Sequence, residues 1–166
     1  MGNVTIRQAT LEDIPQLAKM KSAYVRSLYR GFLSQEILNR CTPERYAVEL
    51  TQWLETGRFR IALTQQDGDI RNYVVYGDNS QEPYNGLLHE GVCSDVSTSD
   101  DKRQLVEYCL EDLRQHGHTV AYLWVLVDNF RVRFLFESLG FRADGARQTR
   151  TMQDQELRIA RYSYQL

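Results

Sequence analysis

The cysteines and histidines are the first side chains to consider for chemistry, because thiols and imidazoles serve as nucleophiles, bases and metal ligands. The cysteines are Cys41, Cys93 and Cys109, and no two of them form a C-x-x-C pair. An odd number of widely spaced cysteines indicates reduced, buried thiols, with a catalytic cysteine as the less favoured interpretation. His116 and His118 lie at the predicted end of a helix and are expected to be solvated. We predict no metal site.

A second group of polar side chains lies over 96–105, in the order V-S-T-S-D-D-K-R-Q-L. One of the hydroxyl residues over 97–99 can cap a helix. Asp100 and Asp101 suit the first turn of that helix, where carboxylates are favourable. The stretch is therefore expected to begin a capped amphipathic helix with an apolar face from Leu105 onward.

The element around which the chain is organised runs from Val120 to Phe141, V-A-Y-L-W-V-L-V-D-N-F-R-V-R-F-L-F-E-S-L-G-F. It opens with a continuous apolar run that is too short for a typical helix and is rich in β-branched and aromatic residues, which predicts a buried central strand. Asn129 and its neighbour offer capping side chains, and Gly140 suits the left-handed end of a helix. The predicted order is strand, tight turn, short helix, strand.

Length and charge narrow the class of protein. The chain has 166 residues and a net charge of −2, with a pI near 5.9. This length predicts one domain over 1–166. Since no basic block is present, we expect no nucleic-acid partner. The absence of a signal peptide and of a membrane-length apolar run predicts a cytoplasmic protein without a membrane partner.

Apolar periodicity predicts the remaining elements. A first strand covers Val4–Gln8, and a helix capped at Thr10 or Asp13 follows, with Lys21 in its buried stripe. A second helical region over 34–54 is interrupted near Thr42 and Pro43. The later segments are strand-like or hairpin loops: Arg58–Thr64, Arg71–Tyr76, the loop Gly77–Gly86, Leu87–Val96, and a closing hairpin of Gln148–Met152 with Glu156–Tyr164 around Gln153-Asp154-Gln155.

The central stretch resembles a known family. Leu123 to Leu126 read L-W-V-L, and Asn129, Glu137, Gly140 and Phe141 follow at the spacing of L-W-V-L-x-x-N-(x)n-E-x-x-G-F. This pattern is similar to the fifth-strand and fourth-helix region of the GNAT superfamily of N-acetyltransferases. The resemblance implies an α+β fold with a mostly antiparallel, twisted sheet of about seven strands, splayed in the middle and flanked by about four helices.

The resemblance also implies positions for the acceptor site. Glu90 falls where many members have an acidic residue that deprotonates the acceptor amine, and burial in a dry cleft would raise its pKa toward neutrality. The alternative is a surface glutamate on a sheet edge. His89 should point to the other face of the strand. The residues that the resemblance places near the acceptor are Tyr24, Tyr29, Arg30 and Tyr162, although these aromatics could instead pack in the fold and Arg30 could be solvated.

For the acetyl donor, the resemblance implies acetyl-CoA. Its pantetheine would lie between the fourth and fifth strands, and its pyrophosphate would lie on backbone N–H groups at a helix N-terminus. The positions implied for donor binding are Ser94, Asp95, Val96, Ser97, Thr98, Ser99, Lys102, Arg103, Asn129 and Phe136.

Two motifs depart from the family. The pyrophosphate loop usually contains glycines that allow close backbone approach, whereas the stretch 96–105 has none, and Asp100 and Asp101 would repel a phosphate. Lys102 and Arg103 could offset that repulsion. Phe136 replaces the tyrosine that usually donates a proton to the leaving thiolate, and phenylalanine has no donor.

Three functions fit these observations. The first is direct transfer of an acetyl group from acetyl-CoA to a primary amine of a small molecule or peptide, with Glu90 as the base. The second is a catalytically degenerate relative that acts as a ligand-binding or regulatory module. The third is a GNAT-like fold that holds a different acyl donor or a small ligand in the splayed cleft. We favour the first, and the family makes a homodimer an open expectation.

Overall fold

The structure is a computed structural model and describes residues 2–79, 85–152 and 155–166. These residues form seven strands and five α-helices. In chain order they are β1 (Thr5–Gln8), α1 (Ile14–Leu28), α2 (Gln35–Asn39), α3 (Pro43–Thr56), β2 (Arg60–Gln66), β3 (Asp69–Asp78), β4 (Asn85–Cys93), α4 (Ser99–Gln115), β5 (Val120–Leu126), α5 (Phe130–Ser138), β6 (Arg142–Met152) and β7 (Gln155–Gln165). The predicted interruption near Thr42 separates α2 from α3, which accounts for one helix more than expected.

The strands form one sheet in the order β1-β2-β3-β4-β5-β7-β6. Neighbouring strands are antiparallel except β4 and β5, which are parallel. The predicted α+β architecture, with a mostly antiparallel sheet that opens in the middle, is confirmed.

The central strands are buried on both faces, which explains their nearly continuous apolar sequences. On one face, Leu17 of α1 and Leu50 of α3 pack over Leu63 of β2. On the other face, Leu105 and Leu113 of α4 belong to a second cluster. The sheet is therefore the middle layer of three, and α1 and α4 lie on opposite faces of it.

Local capping sets the ends of the two helices nearest the splay. The Oγ1 atom of Thr98 accepts a hydrogen bond from the N–H of Asp101 at 3.1 Å, and the Asp101 carboxylate accepts one from the N–H of Thr98 at 2.9 Å. This reciprocal pair is a capping box. Asn129 caps α5 by accepting from the N–H of Val132 at 3.3 Å. Gly140 has a φ of 99°, as its predicted left-handed role requires.

The structure changes the expectation for His118, and two predicted loops lie partly outside the described residues. His116 is exposed as expected, but His118 is only 6% exposed, and its Nε2 lies 2.7 Å from Oδ1 of Asp78. The short link after α4 turns His118 back toward the end of β3. In the loop predicted over 77–86, the residues 80–84 lie outside the described ranges, as do 153 and 154 of the closing turn. No helix in the described ranges is long and apolar enough to cross a membrane.

Candidate active site

The splay between β4 and β5 creates a deep cleft. The two strands pair only from Asn85–Leu87 with Val120–Tyr122, and they separate beyond that point. The edge of β4 from Leu88 onward is therefore not paired with β5. The cleft has a volume of about 810 Å³ and is lined by residues of α1, β3, β4, α4, β5 and α5. A cavity of this size is within the range of small-molecule sites.

A β-bulge in β4 sets the direction of Glu90. Val75 of β3 pairs with Glu90 and Tyr76 pairs with Leu88, so His89 is the extra residue. The His89 ring stacks on Phe59 at 4.7 Å, on the α1–α3 side of the sheet, where Glu90 also lies. The prediction that His89 points to the face opposite Glu90 is therefore wrong, because a bulge interrupts strict alternation.

Glu90 lines the cleft and is paired with a lysine. Its Oε2 lies 2.9 Å from Nζ of Lys21, and its side chain is 22% exposed. Lys21 also contacts Oε1 of Glu49 in α3. Burial raises the pKa of Glu90 above its ordinary value, and the charge and hydrogen bond of Lys21 oppose that increase. The carboxylate is thus a base whose proton affinity is increased by desolvation.

Only some of the residues expected near the acceptor line the cleft. Tyr24 and Tyr29 line the cleft beside Glu90. Burial raises the pKa of Tyr24 to about 12, so its hydroxyl is neutral at physiological pH. Arg30 is exposed and is not among the lining residues. Tyr162 is 2% exposed, and its hydroxyl accepts from Arg133 at 3.0 Å and donates to Glu137, a packing role that the sequence left open.

Of the residues expected near the donor, again only some line the cleft. The cleft wall includes Ser99, Lys102 and Arg103 of α4, together with Asn129 and Phe136. The turn before α4 holds the other predicted residues, which are not among the lining residues: Ser94, Asp95, Val96, Ser97 and Thr98. In that turn, the Oγ atoms of Ser94 and Ser97 are buried and have no hydrogen-bond partner within the described part of the chain.

Comparison with known proteins shows what this chain is similar to. No family model matches the sequence. A Bacillus subtilis (strain 168) protein named uncharacterized N-acetyltransferase YuaI is 25% identical over 135 residues, covering 79% of this chain and 76% of that protein. The acetyltransferase of the GNAT family from Streptococcus pneumoniae superposes with a TM-score of 0.72 at 19% identity, with 99% of each chain covered. The chain therefore has the fold of the GNAT acetyltransferases.

A second similar structure contains coenzyme A. The PaiA N-acetyltransferase of Thermoplasma acidophilum, solved in complex with coenzyme A, matches with a TM-score of 0.78 at 12% identity, with 99% of each chain covered. At these identities the structural matches establish the fold of this chain.

Arg71 compensates for part of the departure from the GNAT loop pattern. Its Nε donates to Oδ2 of Asp101 at 2.9 Å, and its guanidinium also donates to the carbonyl of Val96 at 2.5 Å. Burial alone would raise the pKa of Asp101, but hydrogen bonds from Thr98 and Arg71 hold that pKa below its ordinary value. Asp101 is therefore neutralised within the fold, and the repulsion that its sequence position suggested is reduced.

Sequence reasoning missed several residues of the cleft. Lys21 was assigned to the apolar stripe of its helix, although a lysine in such a stripe is itself a signal of a buried charge. Arg131 and Trp124 line the cleft, but neither stands out in the sequence. The contacts of Arg71, the first residue of a predicted strand, could not be predicted, because its partners lie on a segment distant in sequence.

Proposed function

We propose that this GNAT protein transfers an acetyl group from acetyl-CoA to a primary amine in one direct step. The observation that carries the proposal is the splayed cleft, in which β4 beyond Leu87 is not paired with β5 and the partly buried carboxylate of Glu90 lies on the wall. The similarity to a protein named N-acetyltransferase, and to one solved with coenzyme A, supports it. We expect a cytoplasmic enzyme with a small-molecule or peptide acceptor.

Three cationic side chains on the cleft wall suit the diphosphate of acetyl-CoA. Lys102 and Arg103 from α4 and Arg131 from α5 all line the cleft. None of the three forms an ion pair with another residue in the described ranges. The first N–H groups of α4 add partial positive charge there. Side-chain cations would thus replace the glycine-rich backbone cradle.

Glu90 is the proposed base. Acetyl-CoA supplies an activated thioester, and the acceptor supplies an amine nitrogen. Oε1 of Glu90 is buried and has no hydrogen-bond partner within the described residues, so it is available to accept the proton of the amine. Unpaired backbone N–H groups along β4 would donate to the thioester oxygen, which stabilises the charge that develops there.

Phe136 has no proton to give to the leaving thiolate. Its ring packs edge-on against Phe141 at 5.1 Å, on the cleft wall. Since general-acid help typically contributes about 10²–10⁴-fold, we propose a slow enzyme in which solvent protonates the thiolate. The missing donor and the glycine-free loop also favour a second candidate, a ligand-binding module without turnover.

A transfer assay separates these two functions. Release of free coenzyme A thiol is measured with a panel of polyamines, amino sugars, peptide N-termini and lysine peptides, and acetylated product is confirmed by mass spectrometry. Acceptor-dependent thiol release with product supports the acetyltransferase. Binding of acetyl-CoA with no product above the uncatalysed rate for any amine would support the binding module instead.

A further inference from the structure

Lys21 is an unusual residue for the interior of an apolar helix face. It is 6% exposed, yet its ammonium group contacts carboxylates from two other elements, Glu49 of α3 and Glu90 of β4. We call these three residues the lysine bridge. A buried ammonium is costly unless it is paired, so the two carboxylates explain how this lysine is tolerated.

Two aromatic rings fix the position of the ammonium group. Nζ of Lys21 lies 4.6 Å from the ring centre of Tyr46 and 5.1 Å from that of Trp53. A cation over aromatic faces is attracted by their negative charge distribution, most strongly where water is excluded. Two rings of α3 therefore contact the ammonium group of Lys21, which also faces Glu90 of β4.

The two oxygens of Glu90 have different environments as a result. Oε2 is bound to Lys21 at 2.9 Å, whereas Oε1 is buried and has no hydrogen-bond partner within the described part of the chain. A carboxylate held by one oxygen cannot rotate freely, and its second oxygen keeps its full capacity to accept a proton.

We propose that Lys21 is a positioning residue for acyl transfer: it holds Oε2 of Glu90 so that Oε1 takes the proton of the acceptor amine. In that step the N–H bond breaks as the O–H bond at Oε1 forms, and the nitrogen electron pair attacks the thioester carbon. The C–N bond forms, the C–S bond breaks, and coenzyme A leaves as a thiolate that takes a proton from solvent. The ammonium of Lys21 also favours the ionised form of Glu90 and so opposes the effect of burial on its pKa. The inference rests on the proposed function for its catalytic meaning, but the hold on Glu90 is independent of it.

Besides the carboxylates of Glu49 and Glu90, several titratable groups face the lysine bridge. Desolvation against neighbouring rings, and then the charge of Lys21, lower the pKa of His89 to about 4. The tyrosines and the thiol that face the site have pKa values raised by burial and are neutral: Tyr24 and Tyr29 of α1, Tyr46 of α3, Tyr73 of β3 and Cys93 of β4. Two arginines, Arg58 and Arg150, act on His89 through their charge.

The test is a direct titration of Glu90 in the free protein. The side-chain carboxyl carbons of glutamate are labelled with ¹³C, the Glu90 signal is assigned by its loss in E90Q, and its midpoint is followed in wild type, K21M, E49Q and K21R. We expect the midpoint to rise by about 1–3 pH units in K21M. It should fall in E49Q, because a nearby negative charge is removed, and stay near the wild-type value in K21R.

Opposite shifts in K21M and E49Q support the hold of Lys21 on Glu90, and unchanged midpoints in both would overturn it. If K21M does not fold, K21Q, which keeps a polar side chain but removes the charge, decides the question through the same expected rise. The pH midpoint of the acidic limb of the kcat/KM profile should shift in the same direction as the Glu90 midpoint in each variant. Shifted midpoints with an unshifted acidic limb would overturn the catalytic role. If no amine is acetylated, the proposed function fails, while the titration still decides whether Lys21 controls Glu90.

Discussion

Glu90 is the side chain on which the proposed chemistry depends. Glu90→Gln keeps the size and hydrogen-bonding shape of the residue but removes the base, so we expect kcat to fall by about 10²–10⁴-fold. The affinity for acetyl-CoA should stay within a factor of two. Calorimetry and steady-state kinetics measure both quantities. Glu107→Gln, at an exposed position of α4, is the matched control, and equal turnover of E90Q and wild type would remove Glu90 from the mechanism.

Phe136 is the residue at which a missing function can be restored. Phe136→Tyr adds a hydroxyl to a ring on the cleft wall. If protonation of the thiolate limits the rate, kcat should rise by about 10-fold or more, within the range that general acids provide. Phe134→Tyr adds the same hydroxyl to another lining residue that is 77% exposed and should change little. An unchanged kcat in F136Y would show that the absent donor does not limit turnover.

Among the elements, α4 depends on the contact between Arg71 and Asp101 for its attachment to the sheet. Asp101→Asn breaks a largely buried ion pair and weakens the capping box, so we expect a loss of about 1–3 kcal/mol in the free energy of unfolding. Because the folded pKa of Asp101 lies below its ordinary value, the stabilisation is fully present above about pH 4 and is lost as pH falls through the folded pKa.

Denaturant unfolding at pH 7 and at pH 3 measures this effect. Asp100→Asn changes the same residue type one position earlier, where the carboxylate is exposed and accepts only from Gln104 within the described residues. That control should cost less than about 0.5 kcal/mol. Equal stability of D101N and D100N would contradict the proposed attachment of the helix.

The cations of α4 and α5 should act together on the donor. The combined variant K102A/R103A/R131A removes three positive charges from the cleft wall, and we expect the Kd for acetyl-CoA to rise by about 10–100-fold, since each such contact is worth roughly 0.5–1 kcal/mol. The effect should shrink at high salt. Arg114→Ala, at the opposite end of α4, is the control. A variant with wild-type affinity would place the diphosphate elsewhere.

Most helices and strands can be predicted from the sequence, because short-range patterns specify where they begin and end. Apolar runs, capping residues and Gly140 specify β5, α5 and the turn between them within a few residues. The bulge at His89 does not follow from sequence, because a single extra residue leaves the strand composition unchanged. Its consequence is large, since it brings His89 and Glu90 to the same side of the sheet.

At the scale of the whole molecule, the candidate site was predicted only in part. The position of Glu90 and of the α4 cations follows from family resemblance, and the structure places these side chains on one cleft. The lysine bridge and the hold of Arg71 could not be predicted, because their members come from segments far apart in the chain. Tertiary contacts that join such segments are not encoded in local periodicity.

We expect the splayed cleft to bind acetyl-CoA, and the proposed transfer depends on that binding. Isothermal titration calorimetry of the intact protein with acetyl-CoA measures it, with coenzyme A and 3′-phosphoadenosine diphosphate as partial ligands. We predict binding of one molecule per chain with a micromolar Kd, and weaker binding in the K102A/R103A/R131A variant. No binding at millimolar acetyl-CoA, by calorimetry and by a second method that does not depend on heat, would contradict this expectation.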